Sequence, residues 1–334
     1  MTENTTPTKK SDWLWNALTV ACLVVSGTFV TNTLHAFSRD GFDLLQTFGA
    51  ISQGAGLLLI TGGTLTDKGR EIIQNILATF KVSPDRQAEG TFAIAFMILA
   101  FTGLINFSLP LLGEYYYQRG QGEYEEGKLA AARFSFEQAT HFVREETEIN
   151  DSIHVALGNI YETMGDQISA EPHYQEAAAA GNPAALNGLG RVQLRTAWAY
   201  QDLLLAETSF RVGLAQEDLD PALKAEMLSH LGIVLIKQAE TKADRAAALQ
   251  KEAEAVLQQG VKLDKTLTER TPGLGLSHCY LAILNKKLNR PHQWEDCTKH
   301  ALPTSFDQFR EIIFYADPGI GAQINTSGIV KAEG

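Results

Sequence analysis

Three long apolar stretches without any charged residue lie within the first 112 residues of the chain, at 13–34, 44–65 and 92–112. About 20 apolar residues in helical form are needed to cross a hydrocarbon core of about 30 Å. Helices of soluble proteins seldom stay apolar on every side over such a length. The sequence therefore predicts a membrane domain over 13–112, preceded by a short cytoplasmic tail at 1–12.

The first and third stretches carry residues typical of membrane boundaries. Trp13 and Trp15 open the first, and Tyr115, Tyr116 and Tyr117 follow the third, where aromatic rings favour the lipid–water interface. A cleaved signal peptide is the alternative for the first stretch. Its apolar run is longer than a typical signal core, however, and no A-x-A site follows it. We therefore expect both stretches to be membrane-spanning helices.

The second stretch is more polar, since it contains Gln46, Gln53 and five glycines. We expect it to span the membrane, and a re-entrant or interfacial segment is the alternative. The spacing of Ala50 and Gly54 would let a neighbouring helix approach closely, so this stretch would permit a homo-oligomer.

The distribution of positive charges predicts the orientation. If all three stretches cross the bilayer, one side holds most of the flanking Lys and Arg residues, namely Lys9, Lys10, Lys68, Arg70, Lys81 and Arg86. Because positively charged flanks face the cytoplasm, three spans are favoured. The N-terminus is then cytoplasmic, and the rest of the chain after 112 is on the non-cytoplasmic side. The loop at 66–91 also contains an amphipathic stretch that is compatible with a helix on the membrane surface.

A pattern with a period in the thirties begins near residue 114, and such periods are typical of repeat architectures. Its clearest copy, 151–184, has small and aromatic residues at regular spacings: Leu157-Gly158, Tyr161, Gly165-Asp166, Ala170, Tyr174, Ala177 and Pro183. This copy resembles the tetratricopeptide repeat, and 177–190 is similar to the related Sel1-like repeats. The resemblance covers 114–303. Together with the predicted membrane stretches, it implies an all-α fold in which N-terminal transmembrane helices are followed by an α-solenoid of about five helical hairpins.

The resemblance also implies where a partner would bind, because the first helices of stacked hairpins form a concave face. Arg191 and Arg195 lie four residues apart and so share one side of a helix. One hypothesis is a basic strip that binds an acidic peptide or a C-terminal carboxylate. The alternative is that these are solvated residues that offset surface acids. The residues projected onto the face are Tyr117, Tyr124, Asn159, Glu162, Asn187, Arg191, Arg195, Lys237, Lys286 and Lys287.

Charge and motifs argue against several functions. The formal net charge of −11 disfavours general nucleic-acid binding, which needs a concentrated positive field. The chain contains no Walker loop, no H-E-x-x-H and no G-x-S-x-G. We therefore expect no catalytic residue, cofactor or metal, but a non-catalytic scaffold or assembly factor that binds a partner protein at the membrane. In the alternative, the transmembrane helices have a small transport or sensing function and the repeats regulate it.

Five residues capable of metal ligation or disulfide chemistry fall within 278–300: His278, Cys279, His292, Cys297 and His300. The Cys297-x-x-His300 spacing suits a metal, but a metal site would require the ligands to converge. Cys279 and Cys297 lie on opposite helices of one predicted hairpin, and on an exported domain they could form a disulfide. Coincidental placement is the third interpretation, and the spacing alone leaves all three open.

The end of the chain contains two further segments. Residues 304–316 are amphipathic, and we expect a helix that caps the last hairpin. Residues 317–334 are polar and rich in glycine, which predicts a disordered tail.

Overall fold

The computed structural model describes residues 12–38, 60–61, 64–65, 67–79, 82–83, 86–143, 147–197, 200–267, 273–302 and 312. The described part is almost entirely helical, as the all-α class requires. Its helices are α1 (Asp12–Ser38), α2 (Asp67–Thr79), α3 (Gln87–Glu125), α4 (Leu129–Phe142), α5 (Glu148–Thr163), α6 (Gln167–Ala179), α7 (Pro183–Thr196), α8 (Tyr200–Leu214), α9 (Pro221–Thr241), α10 (Ala246–Asp264), α11 (Leu276–Lys287) and α12 (Trp294–His300). The chain divides into two compact units, the first formed by 1–115 with 138–143 and the second by 116–137 with 144–334.

Two helices of the described residues are long and apolar enough to cross a membrane. They are Asp12–Leu34 within α1 and the whole of α3, with mean hydropathies of 1.6 and 2.1 in their most apolar windows. Large apolar side chains of both helices are exposed, among them Trp13, Phe101 and Leu104. The two helices contain the first and third spans predicted from the sequence.

Within the first unit, α1 and α3 pack side by side and run in the same direction. Trp15 contacts Phe92 near the start of both helices, with ring centroids 5.2 Å apart. Further along both helices, Phe29 meets Phe107 at 6.1 Å. Because the contacts advance together along the two sequences, α1 and α3 are parallel.

The segment between α1 and α3 is described only in part. Most of the predicted second span, 44–65, lies outside the described residues. Its end forms a short antiparallel ladder between β1 (Ile60–Thr61) and β2 (Thr64–Leu65), so a helix does not continue to Leu65. The amphipathic stretch that follows is helical, as α2.

The second unit is built from helices that pack on their neighbours in sequence. Helix α5 packs on α6, α7 on α8, α9 on α10 and α11 on α12, and further contacts join α5 to α7, α7 to α9, and α9 to α11. Side-chain caps define where two of these helices begin. Asn182 and Asp220 each accept hydrogen bonds from two backbone amides of the first turn. Pro183 and Pro221 follow them at the first helical position, where proline is favoured.

Close helix approach in the second unit depends on glycines that face aromatic rings. A Cβ atom at Gly158 would lie 2.6 Å from Tyr174 Cε1, and one at Gly188 would overlap the same ring. A Cβ at Gly190 would lie 2.6 Å from Phe210. These glycines therefore make room for the rings that fill the spaces between helices.

The largest apolar core of the second unit lies among α7 to α12. Of the predicted capping helix at 304–316, the structure describes Ile312, which is helical and fully buried in this core. The predicted tail at 317–334 lies outside the described residues.

Candidate functional site

A buried polar network joins the first helices of three successive hairpins. At its centre, Glu162 of α5 accepts hydrogen bonds from Arg191 of α7, from Nε to Oε1 at 3.1 Å and from Nη2 to Oε2 at 2.8 Å. Arg195, one turn further along α7, pairs with Glu162 Oε1 at 2.7 Å. Arg191 Nη1 also donates to Glu226 Oε1 of α9 at 3.0 Å. The network therefore ties α5, α7 and α9 together.

Two uncharged side chains, those of Tyr174 and Asn159, also form hydrogen bonds within the network. The Tyr174 hydroxyl donates to Glu162 Oε2 at 2.7 Å and lies 2.7 Å from Asn159 Oδ1. Arg191 Nη2 donates to the same Asn159 oxygen at 3.3 Å. These contacts fix the orientation of the Asn159 side chain.

Burial and charge act differently on the two carboxyl groups of the network. Burial raises the pKa of Glu162, but the charges of Arg191 and Arg195 outweigh it and lower the pKa to about 2. Burial also raises the pKa of Glu226, and there it prevails over the attraction of Arg191. The arginines therefore stabilise the ionised form of Glu162 more strongly than that of Glu226.

His230 of α9 borders the network. Its ring stacks on Phe210, and its Nδ1 lies 3.2 Å from Asn187 Oδ1. Burial, and then the positive charges of Arg191 and Arg195, lower the pKa of His230 well below its usual value. A neutral imidazole follows, and its Nδ1–H can donate to Asn187.

An open cleft of about 370 Å³ lies beside the network. Its walls come from the end of α3, from α4 and α5, and from the start of α7. They combine aromatic rings, side-chain amides and small residues, and Glu125 is their acidic member. Gln121 Nε2 donates to Tyr117 Oη at 2.7 Å within the cleft. The lining residues are Tyr117, Gln121, Tyr124, Glu125, Phe136, Ser152, Val155, Ala156, Asn159, Asn182 and Ala184.

The predicted groove residues fall into separate groups. Tyr117, Tyr124 and Asn159 line the cleft. Asn159 also belongs to the network, together with Glu162, Arg191 and Arg195, and Asn187 contacts His230 at its border. Of the five residues in or beside the network, Asn159 is the one that also belongs to the described cleft lining.

The surroundings of Arg191 and Arg195 match neither a basic strip open to a ligand nor a pair of solvated surface residues. The side chains of Arg191 and Arg195 are 12% and 14% exposed, so both are largely shielded from solvent. Both pair with Glu162, which lies on the preceding hairpin. A basic strip open to an acidic ligand is therefore not formed by these two residues.

The predicted lysines lie away from the cleft. Lys287 Nζ pairs with Glu240 Oε1 at 2.6 Å. Lys286 Nζ lies over the ring of Trp294, 6.0 Å from its centroid. Lys237, on α9, is half-buried, and none of the three is among the described lining residues.

Cys279 of α11 and Cys297 of α12 are joined by a disulfide. Of the three interpretations of the 278–300 cluster, the structure has the disulfide, so these sulfur atoms are not metal ligands. The rings of His278 and His300 stack beside it, with centroids 4.5 Å apart. Sequence reasoning missed Asp264, which faces both histidines, because nothing in its own neighbourhood marks it.

No protein-family model and no curated protein matches the chain. The class that the structure supports is an all-α protein with two helices capable of crossing a membrane.

Proposed function

We propose that the protein is a non-catalytic, membrane-anchored scaffold or assembly factor that binds an extended segment of a partner protein in the cleft. The observation that most directly supports this proposal is the open cleft. Its walls include the first helices of consecutive hairpins, which is where a partner segment is expected to bind. The contacts from α5 to α7, α7 to α9 and α9 to α11 support an α-solenoid of tetratricopeptide-like hairpins. A membrane anchor would confine the partner and raise its effective concentration.

The chemistry of the cleft suits a peptide backbone. The Gln121 and Asn159 amides provide donors and acceptors of the kind that pair with backbone N–H and C=O groups. The Asn159 oxygen is held by Tyr174 and Arg191, so its amide is oriented before a ligand arrives. Such preorganisation lowers the entropic cost of binding.

Charge supports a neutral or basic segment rather than an acidic one. Arg191 and Arg195 are paired with Glu162, and Glu125 lies in the cleft wall. The whole chain carries a formal charge of −11, which disfavours the approach of an acidic partner.

Two independent observations support placing the second unit on the non-cytoplasmic side. Helices α1 and α3 are parallel, so a connection that returns across the bilayer is needed if both span it. The distribution of positive charges also favours an additional span in the segment between α1 and α3. The Cys279–Cys297 disulfide fits an oxidising compartment.

Site-specific photo-crosslinking tests the cleft. A photoreactive benzoylphenylalanine replaces Ser152, which lines the cleft, in the full chain in its native membrane. We expect adducts with one defined partner, identified by mass spectrometry. The matched control places the same probe at Gln175, an exposed residue on α6.

A quantitative measurement follows from the captured sequence. A fluorescent peptide of the crosslinked segment should bind the detergent-solubilised chain, and Gln121→Ala should weaken binding about 10-fold through loss of a hydrogen bond. Gln175→Ala should leave the affinity unchanged. Equal adducts at positions 152 and 175, or a peptide affinity insensitive to Gln121→Ala, would contradict the proposal.

A further inference from the structure

Three potential metal ligands meet in the second unit, away from the cleft. Asp264 is the last residue of α10, His278 lies in the first turn of α11, and His300 ends α12. One ligand atom from each lies within 4.8 Å of the others. The arrangement brings two imidazoles and one carboxylate together from three helices.

The separations fit a metal polyhedron better than a hydrogen bond. His278 Nε2 lies 3.4 Å from Asp264 Oδ2, and His300 Nδ1 lies 3.9 Å from the same oxygen. Hydrogen bonds between nitrogen and oxygen are usually about 2.7–3.2 Å long. Ligand atoms about 2.0 Å from a tetrahedral zinc ion are separated by about 3.3 Å. Small movements of the side chains would therefore suffice to close them on one ion.

Burial provides an independent indication that something binds here. The His278 side chain is 3% exposed, and its Nε2 is buried without a hydrogen-bond partner. A buried polar atom that makes no hydrogen bond is costly and uncommon in native proteins. This nitrogen faces the carboxylate of Asp264, which is 2% exposed. A cation between them would coordinate the nitrogen and neutralise the buried carboxylate.

We propose that Asp264, His278 and His300 bind a zinc ion. Imidazole and carboxylate are both common zinc ligands, and three protein ligands leave a fourth position for water. The His300 side chain is 26% exposed, so the site can be reached from its side. The role assigned to the ion is to join α10, α11 and α12 near the end of the described hairpins.

Neighbouring contacts hold the two histidines in place. The Cys279–Cys297 disulfide joins α11 to α12 one residue after His278 and one turn before His300. The Gly273 N–H donates to the Leu302 carbonyl at 2.6 Å, and the Leu302 N–H donates to the Leu274 carbonyl at 2.9 Å. These covalent and backbone links fix the ends of both helices, so the ligand positions are preorganised.

Zinc binding is measured on the full chain, purified in detergent without a polyhistidine tag and stripped with a chelator. The protein is titrated with Zn²⁺ against a chromophoric competitor, and Co²⁺ absorption reports the coordination geometry. We expect one zinc ion per chain, tetrahedral Co²⁺ absorption and a higher thermal unfolding midpoint with zinc. His300→Ala should weaken zinc binding by more than about 100-fold, since loss of a ligand should exceed the effect of an outer-shell change.

Matched variants separate ligation from folding. His292→Ala removes a half-buried histidine that precedes α12 and lies outside the cluster, so it should leave the zinc affinity unchanged. Asp264→Asn keeps the shape of the side chain and should lose binding as His300→Ala does. The readout is independent of partner binding, so it distinguishes this proposal from the proposed function. Absence of stoichiometric zinc, or equal affinity in folded His300→Ala, would overturn the proposal.

Discussion

Arg191 donates two hydrogen bonds to the carboxylate of Glu162, from Nε to Oε1 at 3.1 Å and from Nη2 to Oε2 at 2.8 Å. The two residues lie on neighbouring pairs of helices. The same guanidinium reaches Glu226 on the next hairpin at 3.0 Å. One side chain of α7 thus contacts both neighbouring first helices, α5 and α9. Its position between hairpins makes it a structural link, because each charge satisfies groups that burial would otherwise leave unpaired.

Replacing Glu162 with Gln should destabilise the second unit strongly. The change leaves Arg191 and Arg195 buried without their central carboxylate, and breaking such a pair costs about 3–5 kcal/mol. Urea unfolding of the detergent-solubilised chain, followed by circular dichroism, measures the loss.

Glu226→Gln is the matched control for that variant. Burial raises the pKa of Glu226, so a neutral side chain is tolerated better there than at position 162. We expect a loss below about 1.5 kcal/mol, the usual contribution of a single hydrogen bond. Equal losses in the two variants would mean that Glu162 is not the dominant partner of the arginines.

Acid should weaken the network in a defined pH range. The pKa of Glu162 is about 2 in the folded chain and 4.5 as its usual value, so its contribution is complete above about pH 5 and is lost as the pH falls from 4.5 towards 2. That difference corresponds to about 3 kcal/mol. The raised pKa of Glu226 acts in the opposite direction, because its protonation favours the folded state.

Two histidines with lowered pKa values begin to act at a higher pH than Glu162 does. Burial lowers the pKa of His173 to about 4 from 6.5 and that of His230 well below 6.5, so their effect starts near pH 6.5. Unfolding measured from pH 7 to pH 2.5 should therefore show a loss of stability between pH 4.5 and pH 2.5 that is smaller in Glu162→Gln than in the unaltered chain. An identical pH profile in that variant would exclude Glu162 as the group responsible.

Gly158→Ala should destabilise the second unit although alanine favours helices. The new Cβ would lie 2.6 Å from Tyr174 Cε1. The Tyr174 ring cannot move away easily, because Gly188 contacts the same ring and Glu162 holds its hydroxyl. Overpacking costs about 1–3 kcal/mol, and helix propensity returns at most about 1 kcal/mol.

Gly122→Ala provides the comparison within the same chain. A Cβ at Gly122 meets nothing within 4 Å, and the residue lies inside α3. We expect it to be neutral or to stabilise by up to about 1 kcal/mol. Thermal unfolding of both variants checks the difference, and a stabilised Gly158→Ala would show that the ring has room to shift.

Local patterns predicted the parts of the fold that depend on spacing within one segment. The uncharged runs predicted the helices that can cross a membrane, and the positions of Gly158 and Tyr174 predicted a close helix crossing. The first signal is a continuous apolar run and the second is a spacing within about 20 residues, so both can be recognised without a three-dimensional arrangement.

Long-range polar contacts could not be predicted in the same way. The sequence placed Arg191 and Arg195 on one side of α7, and both do contact Glu162. Their partner lies on another helix, and whether an arginine faces water or a buried carboxylate depends on how the hairpins stack. Asp264 was missed for the same reason, since only packing brings it to His278 and His300.

The parallel arrangement of α1 and α3 predicts opposite sidedness for two exposed residues, Asn75 on α2 and Gln175 on α6. If three segments span the membrane, Asn75 is on the cytoplasmic side and Gln175 is on the opposite side. If only α1 and α3 span it, in opposite directions, Asn75 is on the non-cytoplasmic side and Gln175 is in the cytoplasm. Cysteines are introduced singly at these positions, because Cys22 is buried and Cys279 and Cys297 are joined.

Labelling with a membrane-impermeant maleimide then distinguishes the topologies in intact and permeabilised cells. We expect Gln175→Cys to react in intact cells, and Asn75→Cys to react only after permeabilisation. That result would place the cleft and the disulfide outside the cytoplasm and direct the search for a partner to exported proteins. The reverse pattern would place the second unit in the cytoplasm, where reducing conditions disfavour the Cys279–Cys297 bond. It would also require α1 and α3 to cross the bilayer in opposite directions, against the contacts of Trp15 with Phe92 and Phe29 with Phe107.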